Sequence, residues 1–120
     1  MVLLIIPAKK SKSDIDIELA ENTEDEVYLN ILFRNLKILN QNKYDFVFYV
    51  AGVDIHCEDR LGKLKITDAG VNKRDQIVID NFNRKNIPLC GVLGGGYNKS
   101  FEKLIELHSM LHKNCAEIIR

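Results

Sequence analysis

The chain has 120 residues, of which 17 are Lys or Arg and 17 are Asp or Glu, so its formal net charge is zero. Its 46% hydrophobic and 28% charged residues predict one folded domain and argue against a disordered chain. Zero net charge also argues against non-specific binding to nucleic acid or to an anionic membrane surface, because both require a basic surplus.

The chain opens with a short apolar segment, residues 1–6, which ends at Pro7 and is followed by Lys9 and Lys10. A membrane span needs about 20 apolar residues, and a signal peptide carries its positive charges before the apolar run. We therefore expect neither. The three cysteines are widely spaced with no C-x-x-C pair, which favours reduced thiols in a cytoplasmic protein over a disulfide framework.

An alternating segment and a first helix come next. Residues 14–19 alternate polar and apolar side chains, which predicts a half-buried strand or an extended arm. Thr23 and Glu26 have the spacing of a capping box, with Thr23 as the N-cap of a helix that ends near residues 40–42. The apolar residues at helical spacing, which we expect to face inward, are Val27, Ile31, Leu32, Leu36 and Leu39.

Two short strands flank a second helix. Residues 44–50 and 87–93 are apolar runs of the kind that forms strands buried on both faces of a parallel sheet. Thr67 is a candidate N-cap for a helix over residues 68–85, and Asn86 can take the left-handed conformation that ends it. The residues of this helix that we expect to face inward are Val71, Ile77, Val78 and Phe82.

A final helix is predicted over residues 100–119. Its apolar side is expected to contain Leu104, Leu107, Leu111, Ala116 and Ile119. The order helix, strand, helix, strand, helix predicts an α/β fold, a parallel sheet with flanking helices. Sites in such folds lie beyond the carboxyl ends of the strands. Asp54 and Tyr97 each follow one predicted strand by four residues, so we expect both side chains to open into the same crevice.

Asp54 is the most informative candidate, because a carboxylate at the end of a buried strand is costly without a compensating charge. A metal ion would supply that charge, and a self-contained zinc site from Asp54, His56, Cys57 and Asp59 is conceivable. The alternatives are that Asp54 only caps a turn and that His56 is an exposed loop histidine, and for His56 we favour exposure.

The triplet Gly94, Gly95 and Gly96 permits close backbone approach, so it is either the floor of a ligand pocket beside Tyr97 or a flexible turn. It matches neither a P-loop nor a dinucleotide-binding fingerprint. His108 and His112 are four residues apart on the final helix, but the H-E-x-x-H pattern is absent, which favours a partly exposed helical face over a metal site.

Four segments carry a resemblance to a known family. They are residues 50–54 (VAGVD), residues 59–64 (DRLGKL), residues 67–75 (TDAGVNKRD) and residues 87–97 (IPLCGVLGGGY). In this order and spacing they resemble the histone deacetylase superfamily, with the bacterial acetoin-utilisation type and the class IV enzymes closest in pattern. The resemblance runs from about residue 6 to the end of the chain.

The resemblance implies a partial arginase/deacetylase-like three-layer α/β fold and a catalytic zinc that serves hydrolysis of acyl-lysine or a small acyl-amide. It implies that Asp54 is a zinc ligand and that Tyr97 is the catalytic tyrosine that hydrogen-bonds the substrate carbonyl. Gly94, Gly95 and Gly96 would form the substrate-binding floor, and Asp59 would have a supporting role in its loop.

Two family features have no counterpart here: the D-x-H motif that supplies the other zinc ligands, and the paired catalytic histidines, both of which precede the matched segments in the family. His56, His108 and His112 lie elsewhere and cannot be carried into those roles, although His56 is two residues after Asp54. We therefore expect residues 1–120 to be a single domain that represents the C-terminal part of a deacetylase-like enzyme, from a truncated or split gene, inactive and without stably bound zinc by itself. The alternative is a binding or assembly module that pairs with a separate N-terminal chain or with itself. A phosphate- or nucleotide-binding domain is the weakest option.

Overall fold

The computed structural model describes residues 13–119, so the apolar opening, residues 1–6, lies outside the described part. Three helices and two strands form within it, namely α1 (Asp25–Leu39), β1 (Val47–Ala51), α2 (Asp68–Asn83), β2 (Leu89–Leu93) and α3 (Phe101–Ile118). Across residues 13–119, no helix is long and apolar enough to cross a membrane.

The two strands pair in parallel. Val47 is opposite Leu89 and Ala51 is opposite Leu93, so both strands end at the same level. The helix α2 connects them, as a parallel pair requires, because the chain must return to the other end of the sheet between the strands. The predicted α/β fold with a parallel sheet and flanking helices is confirmed.

One face of this sheet carries the main hydrophobic core. Tyr49 and Ala51 of β1 are buried there against side chains from all three helices, including Leu32 of α1, Val78 of α2 and Leu111 of α3. A second buried cluster lies under the loop that follows β1 and is formed by Tyr28, Val53, Ile55, Leu64, Ile66, Val71 and Leu107. The loop with the candidate site residues therefore has a core of its own.

The opposite face of the sheet is open, which corrects the prediction that the strands are buried on both faces. Phe48 is 73% exposed, and Val50 and Val92 are also exposed. The reason is that every helix in the described part contributes to the core on the other face. The prediction reflected the apolar composition of the strands, but within residues 13–119 no element covers this face.

The helix starts agree with prediction at α2 and differ at α1. Thr67 accepts a hydrogen bond from Gly70 N, as expected of an N-cap, and Asn86 has the left-handed φ of 56°. The predicted capping box at Thr23 is wrong, because the Thr23 hydroxyl donates to the carbonyl of Ala20. The helix α1 starts instead at Asp25, whose carboxylate accepts hydrogen bonds from the backbone and side chain of Thr67.

Several helical faces are rotated from the predicted ones. Val27 is 55% exposed, and its neighbour Tyr28 is buried in its place. Near the end of α3, Ala116 and Ile119 are exposed, whereas Leu107 and Leu111 are buried as predicted. Residues 14–19 form no strand, and residues 14 and 15 lie in a bend.

Candidate functional site

The candidate site lies where the two strands end. Residues 52–66 leave β1, residues 94–100 leave β2, and the aligned register brings both loops to the same edge of the sheet. The two loops are joined by a hydrogen bond from Val53 N to Gly95 O at 2.6 Å. Asp54 and Tyr97 are therefore carried by loops in direct contact, as expected from their positions after the strands.

The glycines allow this contact. A Cβ atom at Gly95 would lie 2.7 Å from Asp54 Oδ2, and a Cβ at Gly94 would lie 2.8 Å from the backbone of Gly52. Larger residues would push the loops apart, because real Cβ atoms do not approach other atoms so closely. Gly94 and Gly95 are therefore required for the close packing of the two loops beside Asp54. This is a more specific role than that of a flexible turn.

Asp54 itself is half-buried against this glycine backbone. Burial raises the pKa of the Asp54 carboxyl, and the nearby charge of Asp59 raises it further, while Arg74 and His108 act in the opposite direction. A carboxylate in such a place is held at an energetic cost, which a cation bound at its oxygens would offset.

Asp59 connects the two loops. One of its carboxylate oxygens accepts a hydrogen bond from Tyr97 N at 2.6 Å, and the other accepts from Leu61 N at 3.0 Å and from Gly62 N at 2.8 Å. Arg60 donates to the carbonyl of Tyr97 at 3.2 Å. The backbone of Tyr97 is therefore held from the Asp54 loop, while its side chain remains 37% exposed.

His56 lies apart from these residues, and the prediction that it is exposed is wrong. Its side chain is buried, Nε2 lies 2.6 Å from Asp68 Oδ1, and Nδ1 accepts a hydrogen bond from Glu58 N. Asp68 also bonds Lys103 of α3, and this hydrogen bond holds the pKa of Asp68 below its usual range. His56 thus links the Asp54 loop to α2 and, through Asp68, to α3.

A buried ion pair, Arg74 and Asp75, lies behind the site and was not among the predicted site residues. Arg74 donates to the carbonyl of Gly52, and it also donates to Asp75 through Nε at 3.0 Å and through Nη2 at 2.9 Å. Tyr49 OH donates to the same carboxylate at 2.6 Å. The sequence does carry a signal for this pair. Arg74 and Asp75 lie between Val71 and Val78 on the buried side of α2, where a charged side chain needs a buried partner.

Comparison with known proteins supports the deacetylase resemblance. The family model for the histone deacetylase domain matches residues 5–111. This chain belongs to the histone deacetylase domain family. It is 42% identical over 113 residues to an uncharacterized protein of Picosynechococcus sp., covering 93% of this chain and 38% of that protein. It is 38% identical over 93 residues to histone deacetylase 2 of Arabidopsis thaliana, covering 77% of this chain and 24% of that protein.

The chain therefore spans well under half the length of these relatives. Its α/β structure with one parallel strand pair agrees with part of a deacetylase domain. The strand ends, the glycine triplet and Asp54 all lie within the matched residues.

Within residues 13–119 of this deacetylase-domain chain, neither His108 nor His112 belongs to a group of three metal-ligating side chains. His108 lies under the glycine triplet, where a Cβ at Gly96 would be 3.1 Å from its Nε2, and its buried Nδ1 has no hydrogen-bond partner among the described residues. Burial lowers the pKa of His108. His112 is exposed on the same helix, so only one of the pair faces the protein interior.

The fit of this deacetylase-domain chain to a zinc ion is partial. Asp54 offers carboxylate oxygens, which suit zinc, but a catalytic zinc takes three protein ligands. Residues 13–119 contain no group of three His, Cys, Asp or Glu side chains arranged to hold a metal ion. The self-contained site from Asp54, His56, Cys57 and Asp59 is therefore not formed among these residues.

Proposed function

We propose that this chain supplies the C-terminal part of a zinc-dependent deacylase site, with Asp54 as one metal ligand and Tyr97 as the catalytic tyrosine. The observation that carries the proposal is the packing of the Asp54 carboxylate against Gly95 at the ends of two parallel strands. The hydrogen bond from Tyr97 N to Asp59 supports it, because it ties the tyrosine to the loop that holds Asp54.

Each of these groups has a chemical task in the completed site. A bound zinc ion would acidify water and polarise the carbonyl of an acyl-lysine or small acyl-amide substrate. The Tyr97 phenol donates a hydrogen bond to that carbonyl oxygen, where negative charge develops during attack. The backbone of Gly94, Gly95 and Gly96 forms the floor against which the acyl group rests, and Asp59 positions Tyr97.

By itself the chain should not catalyse this reaction. It contributes one zinc ligand where three are needed, and its sequence has no paired histidines to activate water. Asp54 and His56 have D-x-H spacing, but His56 is buried against Asp68 and is not a second ligand beside Asp54. We propose that a separate N-terminal part of a deacetylase domain supplies the other ligands and the histidines.

Zinc-dependent hydrolysis of an acetyl-lysine peptide by the pure 120-residue chain tests this proposal. The expected result is no deacylation above the rate of the Asp54→Ala variant, with or without added zinc. Zinc-stimulated activity that Asp54→Ala abolishes would contradict it, because the chain would then contain a complete site.

A second candidate function is a binding or assembly module, which the open, apolar face of the sheet favours. Its partner would be a separate N-terminal chain or a second copy of this one, since exposed apolar patches on parallel sheets are normally covered. Light scattering on the pure chain tests self-association, and a monomer that binds no N-terminal part would count against this function.

A further inference from the structure

A single peptide group fixes the backbone just before Asp54. The carbonyl of Gly52 and the N–H of Val53 belong to the same peptide unit, which is planar and moves as one body. Arg74 of α2 donates to that carbonyl, and Val53 N donates to Gly95 O at 2.6 Å. The peptide is therefore held at both ends, by α2 on one side and by the glycine loop on the other.

The orientation of this peptide determines where the Asp54 carboxylate lies. Asp54 is two residues beyond Gly52, and a Cβ atom at Gly52 would lie 2.9 Å from Asp54 Oδ1. A Cβ atom at Gly95 would lie 2.7 Å from Asp54 Oδ2. The carboxylate therefore rests against both backbone segments that the peptide joins. A rotation of the peptide would shift these segments and, with them, the carboxylate.

Arg74 is itself held in one place. Its guanidinium donates to Asp75 Oδ1 through Nε at 3.0 Å and through Nη2 at 2.9 Å, which leaves Nη1 for the carbonyl of Gly52. Tyr49 OH, on β1, donates to the same oxygen of Asp75 at 2.6 Å. Because a guanidinium is a planar fork of fixed geometry, the two bonds to Asp75 set the direction of the third bond.

Stability alone is a poor reason for this ion pair. Arg74 and Asp75 are 5% and 1% exposed, so both charges have lost most of their hydration. A buried ion pair commonly stabilises a fold less than apolar side chains of the same volume, because the desolvation of two charges offsets their attraction. The buried residues Val71 and Val78 show that this side of α2 accepts apolar side chains. Unlike an apolar pair, the charged pair provides a directed hydrogen bond to Gly52.

We propose that Arg74 is a positioning residue for Asp54, and that it acts through the peptide between Gly52 and Val53. This inference rests on the proposed function, in which Asp54 is a zinc ligand. Replacing a residue that orients a metal ligand without touching the metal commonly changes metal affinity or activity by about 10- to 100-fold. Asp75 serves the same purpose one step further away, because it holds the guanidinium of Arg74.

Amide hydrogen exchange on the full 120-residue chain tests the positioning without metal or substrate. The double variant Arg74→Met/Asp75→Asn removes both charges and retains an acceptor for the Tyr49 hydroxyl. We expect it to fold, and we expect the protection of the Val53 amide to fall by about tenfold or more relative to that of the Leu36 amide. Leu36 lies in the main core, so a general loss of stability would lower the protection of both amides alike.

Two further variants complete this experiment. Arg84→Met is the matched control, because Arg84 is at the end of α2 with a side chain that is 78% exposed, and it should leave the Val53 amide unchanged. Arg74→Lys replaces the planar fork by a single nitrogen while keeping the charge beside Asp75, and it is measured if the double variant does not fold. Unchanged relative protection of Val53 in the variant that folds would overturn the proposal. Failure of both variants to fold would also overturn it, because the ion pair would then serve the stability of the fold.

Zinc affinity connects this positioning to the proposed site. The chain is paired with the part of the Picosynechococcus relative that lies N-terminal to its matched segment, and zinc binding is measured by competition with a chelator. We expect the double variant to weaken zinc binding by about tenfold or more. Unchanged zinc affinity in an active pair would contradict the role of Arg74 and leave the proposed function standing. A selective loss of protection at Val53, together with failure to obtain a pair that binds zinc, would support the role of Arg74 in holding the peptide and contradict the proposed function.

Discussion

At the residue scale, Asp54 combines a proposed chemical role with an energetic cost. Its carboxylate is half-buried against glycine backbone, and burial raises its pKa above the ordinary value. Ligand residues in apo sites commonly carry such costs, because the charge that they are arranged to meet is supplied from outside. The energetic cost of burying the Asp54 carboxylate can therefore be tested by measuring protein stability, without any measurement of enzymatic activity.

We predict that Asp54→Asn stabilises the isolated chain at neutral pH. Because the pKa of Asp54 is higher in the folded than in the unfolded chain, folding favours the protonated carboxyl, and stability decreases as pH rises through that folded pKa. The melting temperature of the variant should exceed that of the wild type at pH 7, with the difference shrinking towards pH 4. Asp45→Asn, at an exposed position, is the control and should show no such gain.

Asp59 gives a second test at this scale. Asp59→Ala should lower the free energy of unfolding by about 2 kcal/mol, because three backbone N–H groups lose a charged acceptor. The exposed neighbour Glu58 is the matched control, and Glu58→Ala should change stability by less than about 0.5 kcal/mol. Urea unfolding measures both, and equal effects would mean that Asp59 does not tie the loops together.

The sequence allowed some of these residues to be located and not others. Asp54 and Tyr97 could be located because each follows a recognisable strand, and parallel strands present their carboxyl ends together. His56 could not, because its burial depends on Asp68, twelve residues away on another element. Likewise, nothing local to Arg74 indicates that it bonds the carbonyl of Gly52.

At the element scale, α1 shows why helical periodicity alone is insufficient. Both Val27 and Tyr28 are compatible with an apolar stripe, and only tertiary contact decides between them. The bonds between Asp25 and Thr67 hold the start of α1 beside the start of α2. Tyr28 is then buried in the cluster under the site loop, and Val27 points to solvent.

This orientation predicts a contrast between two residues of α1. Leu32→Ala should lower the free energy of unfolding by about 2–4 kcal/mol, because Leu32 is buried in the main core and its truncation leaves a cavity. Val27→Ala should change it by less than about 0.5 kcal/mol, since Val27 is exposed. A comparable loss in both variants, measured by urea unfolding, would contradict the observed orientation of α1.

At the scale of the whole molecule, the apolar composition of the strands predicts more burial than residues 13–119 provide. Apolar side chains on both sides of β1 indicate a strand buried on both faces, and the described residues cover one face only. The prediction of parallel pairing succeeded because it depends on local pattern and connection length. The prediction of burial on both faces failed because, within residues 13–119, all three helices pack on the same face of the sheet.

We propose that this chain supplies the C-terminal part of a deacylase site, which becomes functional only when an N-terminal part binds it. Deacylation of an acetyl-lysine peptide by the pair formed with the N-terminal part of the Picosynechococcus relative tests it most directly, with the intact relative as reference. We predict zinc-dependent activity in the pair, none in either part alone, loss in Asp54→Asn, and a reduction of about 100-fold in Tyr97→Phe. A stable pair whose activity is unaffected by both substitutions would contradict the claim.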